Sequence, residues 1–305
     1  MRYLSFDDRD GQHRVGVIAP QDPETIIDVT DRLEHGLGSP MRRLIEYTVG
    51  GGSLDRLIDT SPRLDRRSVT PLAPVPDASK VVAAPVNYVN HQSEMSQDSH
   101  IDALGVFLKA PSSMIGHGGV VRLPYTDRRF DQEGEFAAVI GARARNVPED
   151  RALDHVFGYT CLLDMTMRGG EDRSVRKSFD TFTPVGPTIV SIDEAPAIDD
   201  MEIHLWVNDR LRQRADIRDL IWSLPRLIEY ASSVMTLEPG DVITTGTPEG
   251  VGEVFDGDLI RLSVTGLDQL EVTVSSDGAV ACPTRGVNRG PKPPATLTPV
   301  AERTP

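Results

Sequence analysis

Glu133-Gly134-Glu135-Phe136-Ala137-Ala138-Val139-Ile140-Gly141 places two acids, one residue apart, at the head of an apolar run. Side chains of an extended chain alternate faces, so Glu133 and Glu135 point the same way and repel unless a positive charge lies between them. Acid pairs of this spacing also decorate the solvent face of half-exposed strands. A third acid argues against that bland reading here: Asp164 closes a second apolar run, Cys161-Leu162-Leu163, and is followed by Met165. An ionised carboxylate in such a run is costly unless paired or metal-bound. Three carboxylates without cysteine or histidine form an all-oxygen set, which suits Mg2+, Mn2+ or Ca2+ better than Zn2+.

Working outward, the pattern predicts a β-rich α+β fold. Strands are expected at Tyr3 to Phe6, Val15 to Ile18, Thr25 to Asp28, Val81 to Ala84, Val120 to Leu123, Glu135 to Ile140 and Thr160 to Leu163. More follow at Thr188 to Val190, Glu202 to Val207, Asp241 to Thr244, Leu259 to Val264 and Gln269 to Val274, with turn pairs such as Pro239-Gly240 between them. Helical spacing is confined to Met41 to Tyr47, Ala152 to Val156 and Ile217 to Met235. The prolines at 71, 74 and 76 suggest a linker, so a small N-terminal α+β domain is expected over residues 1–70 and a larger β-rich domain over 71–285. Residues 286–305, rich in proline and poor in large apolar side chains, are expected to form a mobile tail.

The chain's 305 residues allow one large core with a small appended unit. A formal charge of −14 opposes binding to nucleic acid or anionic lipid, both of which need a clustered basic surface. No apolar run approaches bilayer length and the first residues lack the apolar stretch of a secretory signal, so a cytoplasmic location is expected. Cys161 and Cys282 fit no zinc or disulfide pattern.

Other residue types in the sequence suit chemistry on a carboxylate substrate. His91 and Glu94 meet on one face if their segment is helical, and a carboxylate that orients an imidazole raises its basicity, as activation of water requires. Arg168 and Lys177 follow the third acid closely and could bind a carboxylate or steady an enolate. The loop Thr245-Gly246-Thr247 lacks the Gly-Lys-Ser/Thr ending of a phosphate loop, and its hydroxyls and amides could hold a substrate carboxylate.

Taken in order, several segments resemble the fumarylacetoacetate hydrolase family between about residues 71 and 275. They are Asn87-Tyr88-x-x-His91-x-x-Glu94, Asp131-Gln132-Glu133-Gly134-Glu135, Gly158-Tyr159-Thr160 leading to Asp164, Lys177-Ser178-Phe179-Asp180, Pro184-Val185-Gly186-Pro187, Leu237-Glu238-Pro239-Gly240-Asp241 and Thr245-Gly246-Thr247-Pro248-Glu249-Gly250. The resemblance implies a catalytic domain built as a mixed β-sandwich roll, usually dimeric, with Mg2+ or a similar cation on Glu133, Glu135 and Asp164. It also implies a water-activating His91–Glu94 pair on a mobile lid, Lys177 as an active-site cation, and the 245–247 loop as part of the substrate pocket. Such proteins cleave carbon–carbon bonds of acylpyruvates and related diketo acids; others decarboxylate, hydrate or isomerise 2-oxo acids, and fold does not choose among these. A non-catalytic carboxylate-binding protein is a further alternative. The chain departs from the pattern at Arg168-Gly169-Gly170-Glu171, at Asn90 and in the short connection from Asp164 to Lys177, which points to an altered substrate pocket.

Overall fold

The computed structural model describes residues 1–287 and 289–300. The strand Gly134–Ile140 is buried along its whole length, and from Phe136 onward its sequence is continuously apolar rather than alternating, as burial on both faces requires. Phe136, Ala138 and Ile140 face a core shared with Ile203, Leu205, Ile260 and Leu262. Ala137 and Val139 face the opposite way, into a core completed by Tyr3, Leu44 and Ile45 near the N-terminus.

This strand sits in a 12-stranded sheet. Along its main path the neighbours run Arg63–Asp65, Asp22–Asp28, His13–Ala19, Arg2–Asp7, Thr183–Ser191, Val156–Leu163, Gly134–Ile140, Val242–Thr244, Val81–Ala83 and Phe107–Lys109. A 5-stranded sheet, ordered Arg210–Asp216, Glu202–Val207, Leu259–Val264, Leu270–Ser275 and Val120–Arg122, packs against one face and makes the sandwich. Gly134 faces the 5-stranded sheet. A Cβ there would lie 2.8 Å from Leu205 Cδ1 and 2.9 Å from Leu262 Cδ1, so a larger residue between the two glutamates would have to displace these leucine side chains.

Several parts of the chain differ from the sequence expectation. The first seventy residues do not end at a break in the sheet: Arg2 and Tyr3 pair with Val190 and Ile189, and Leu72 N–H donates to the Ser5 carbonyl at 2.9 Å, so the proline stretch is stitched to the first strand. The expected helix Ile217 to Met235 is broken. A 3-10 turn at Ile217–Asp219 is followed by extended chain, and the α-helix begins only at Leu224–Val234. Pro225 has no N–H to give and fits only the first turn of a helix, where Ser223 caps by accepting from Arg226 N–H. A further strand, Arg210–Asp216, has charged residues with no apolar alternation to signal it in the sequence. The proline-rich tail lies against the body, with Arg129 Nη1 donating to the Pro294 carbonyl at 3.3 Å. No helix among the described residues is long and apolar enough to cross a membrane.

Candidate active site

Register builds the acidic centre. Gly134 pairs with Leu163 and Glu135 with Leu162 in antiparallel fashion, which brings Asp164 opposite Glu133, and Asp164 N–H donates to the Glu133 carbonyl at 2.8 Å. One oxygen each from Glu133, Glu135 and Asp164 lies within 4.8 Å of the others, and all three side chains are buried.

Cations surround two of these acids. Arg168 Nη2 donates to Glu133 Oε1 at 2.7 Å and Lys177 Nζ to Glu133 Oε2 at 2.6 Å. Lys177 Nζ also donates to Asp164 Oδ2 and, at 2.7 Å, to Thr166 Oγ1. The other Asp164 oxygen accepts from Lys109 Nζ at 2.5 Å, and Lys109 turns its remaining hydrogens to the Lys177 and Phe182 carbonyls. Arg168 Nε is held by Asp131 at 2.6 Å. Glu135 differs, since Oε2 accepts from neutral groups, the Thr244 hydroxyl and Gly246 N–H.

The electrostatics follow this division. Burial pushes the Glu133 carboxyl up, but Lys177 and Arg168, with His91 behind them, outweigh it and hold the acid well below its ordinary range. Burial and then the adjacent Asp164 push Glu135 up to about 8, against the pull of Lys177. Of the three acids Glu135 alone has no cation bonded to it among the described residues. Oxygen-only donors and a buried acid that resists ionisation fit a hard divalent cation, whose charge would favour the ionised carboxylate.

His91 and Glu94 lie on the short helix Val89–Glu94, and His91 Nδ1 is 3.0 Å from Glu94 Oε2. The second Glu94 oxygen accepts from Gly250 N–H at 2.8 Å and from the tail hydroxyl of Thr298 at 2.6 Å. His91 lines the same cavity as Glu133, Glu135, Arg168 and Lys177. The free space there is about 30 Å3, room for about one water, so a larger ligand requires the walls to move. Pro291 of the tail forms part of those walls.

The loop at 245–247 is placed differently from its sequence reading. Thr245 Oγ1 donates to the Phe136 carbonyl at 2.9 Å, Gly246 N–H serves Glu135, and Thr247 Oγ1 donates to the Gly134 carbonyl at 3.1 Å. Its polar groups therefore buttress the acid-bearing strand, and of the three only Thr247 lines the cavity. Sequence reasoning missed Lys109, Asp131 as the partner of Arg168, and Arg176, another cavity-lining residue.

A three-carboxylate centre beside a histidine–glutamate pair, on a sandwich of this topology, defines a metal-dependent hydrolase acting on carbon–carbon bonds. The chain belongs to the fumarylacetoacetate hydrolase family: residues 80–275 match the model described as fumarylacetoacetate (FAA) hydrolase C-terminal. A maleylpyruvate hydrolase of Aquipseudomonas alcaligenes is 39% identical over 287 residues, covering 88% of this chain and 98% of that protein. The crystal structure of a maleylpyruvate hydrolase from Sphingobium sp. SYK-6, in complex with manganese(II) and pyruvate, is 38% identical with a TM-score of 0.79, covering 90% of this chain and 99% of that one. A mitochondrial oxaloacetate tautomerase of Arabidopsis thaliana is 39% identical over 206 residues, 64% of this chain and 90% of that protein.

Proposed function

We propose that this enzyme hydrolyses acylpyruvates, diketo acids of the maleylpyruvate or fumarylpyruvate kind, in the breakdown of aromatic or sugar-derived acids. The observation that carries the reading is His91, held by Glu94, opening onto the cavity lined by Glu133 and Glu135, two of the three clustered buried carboxylates. Glu133, Glu135 and Asp164 would hold Mg2+, or Mn2+ or Ca2+ in its place. Such an ion supplies Lewis acidity toward the oxygens of a 2-oxo acid.

His91 acts as the base. Glu94 fixes its Nδ1 side, which leaves Nε2 to take a proton from water as the oxygen attacks the distal carbonyl of the acyl group. Glu94 is itself held by Gly250 N–H, so the imidazolium that forms has an oriented counter-charge. When the adduct collapses, the bond between the acyl carbon and the methylene carbon breaks. The acyl group leaves as a carboxylic acid, and the bonding pair passes into the enolate of pyruvate, which takes up a proton at carbon. Lys177 stands beside Glu133 and Asp164, where its charge stabilises the developing enolate oxygen. Arg168, clamped by Asp131 and Glu133, steadies that side and lends charge toward the substrate carboxylate.

A second reading shares the enolate without attacking water: tautomerisation or decarboxylation of an oxaloacetate-like acid, or isomerisation or hydration of an unsaturated 2-oxo diacid. The likeness to a plant oxaloacetate tautomerase favours it. A product assay on the metal-loaded protein separates the two. Hydrolysis consumes the diketo chromophore and yields two acids in equal amount; release of CO2, or enol–keto interchange without cleavage, would replace the first reading with the second. The proposed setting is a cytoplasmic homodimer, supported by two free thiols and by the family resemblance, and light scattering in solution tests the assembly.

A further inference from the structure

Among the described residues, one buried cation of the cavity carries a donor without an acceptor. Arg176, only 4% exposed, lines the same cavity as His91, Glu133 and Lys177. Its Nη1 is buried without a hydrogen-bond partner, and among the described residues its side chain has neither a hydrogen bond nor an ion pair. The neighbouring cations are already committed. Lys177 gives its three hydrogens to Glu133, Asp164 and Thr166, and Lys109 gives its three to Asp164 and two carbonyls. Arg168 is fixed at Nε and Nη2.

A buried guanidinium without a partner is unfavourable, and its planar fork matches a carboxylate. Arg173 lies one helical turn earlier in the short helix Arg173–Arg176, lines the same cavity, and adds a second positive charge to that wall. The short connection from Asp164 to Lys177 brings this helix to the cavity. Glu133 and Asp164 attract Arg176 from a distance without bonding to it, so it remains available to an incoming anion.

We propose that Arg176 receives the terminal carboxylate of a dianionic acylpyruvate, and so sets a preference for substrates whose acyl arm ends in an acid. This deepens, and rests on, the acylpyruvate reading above. Its place in the cavity lining, unbonded to the acids, suits a substrate whose 2-oxo acid end lies at the acidic centre and whose acyl arm extends to Arg176. Closure of Pro291 over the cavity would then exclude water from the ion pair and strengthen it.

The test compares wild type with Arg176→Gln and Arg176→Lys, each loaded with Mn2+, on maleylpyruvate and on acetylpyruvate, whose acyl arm ends in a methyl group. The expected result is that Arg176→Gln lowers the ratio of kcat/KM for maleylpyruvate to that for acetylpyruvate by roughly 10- to 100-fold, the effect of a lost charged hydrogen bond, chiefly through KM. Arg176→Lys should restore part of the ratio. An unchanged ratio in Arg176→Gln, with or without a general loss of activity, would overturn the proposal and leave acylpyruvate hydrolysis standing. A parent protein that cleaves neither compound would instead sink the hydrolase reading. Calorimetry then decides the Arg176 proposal alone: Mn2+-loaded wild type should bind 2-oxoglutarate more tightly than 2-oxobutyrate, and Arg176→Gln should erase the difference. Equal affinities in wild type would refute it.

Discussion

On one side of the cavity, two adjacent strands in register deliver Glu133, Glu135 and Asp164, and the cations around them spend nearly every donor inside the protein. Elsewhere in its lining, two short helices and the C-terminal tail contribute His91, Arg176 and Pro291, and among the described residues His91 is held by Glu94 alone while Arg176 Nη1 is unpaired. The first wall belongs to the central sheet, and its geometry is fixed by backbone hydrogen bonds on both edges. The second hangs from connections. A hydrolase needs both kinds of wall: concentrated charge must be preorganised, whereas the groups that take a proton or admit a substrate must be able to close over it.

The largest expected effect tests the rigidity of the sheet side. Asp164→Ala would leave Lys109 and Lys177 buried with part of their compensation gone, and breaking a buried pair in this way costs roughly 3–5 kcal/mol. Chemical denaturation of the variant should register a loss of that size together with loss of Mn2+ binding by calorimetry and of all turnover. Near-parental stability would mean that the wall is not held by these ion pairs.

His91→Ala addresses the opposite wall. Loss of a general base lowers rates by roughly 100- to 10,000-fold, and since His91 makes no bond to the three acids, Mn2+ affinity and stability should change little. The acylpyruvate rate should fall far more than any oxaloacetate activity, which needs no attacking water. Equal loss of both, with metal binding preserved, would remove the reason for assigning water activation to His91.

How much of this was legible from the sequence follows the same division. Glu133, Glu135 and Asp164 could be read because strand alternation and apolar flanks are local signals. His91 and Glu94 could be read because three-residue spacing on a helix is local too. Lys109 could not: Phe107-Leu108-Lys109 looks like an ordinary edge strand, and its burial arises only when Val81–Ala83 pairs with it and carries it beneath Asp164. Arg176 sits among Asp172, Arg173 and Lys177, where a run of charge resembles a solvated surface, and only the folded chain reveals that it faces inward without an acceptor. The same limit explains the 245–247 loop. Its residues suggest ligand binding, yet the fold aims its donors at the strand behind Glu135.

A smaller effect is expected from the tail. Thr298 donates to the Glu94 oxygen that does not face His91, while Gly250 N–H holds the same oxygen from the body. Thr298→Ala should therefore lower kcat by roughly two- to tenfold, the worth of one such hydrogen bond, with Mn2+ affinity unchanged. A loss as large as that of His91→Ala would make the tail part of the proton-transfer apparatus and not a brace for it.

The smallest perturbation distinguishes the interior of the sheet from the margin where the tail departs, without any mutation. Cys161 lies within the strand Val156–Leu163, and burial pushes its thiol up to about 12, so almost no thiolate is present near neutrality and no reagent can reach it. Cys282 is half-buried in the segment that leads into the tail, with its backbone N–H held by Asp127 and its sulfur 3.3 Å from Thr284 Oγ1. A disulfide reagent added to the native protein at pH 8 should modify Cys282 alone, and both thiols should react once the chain is denatured. Modification of Cys161 at a comparable rate would mean that the central sheet opens as readily as the margin, and the contrast between a fixed wall and a closing one would fail at its firmer end.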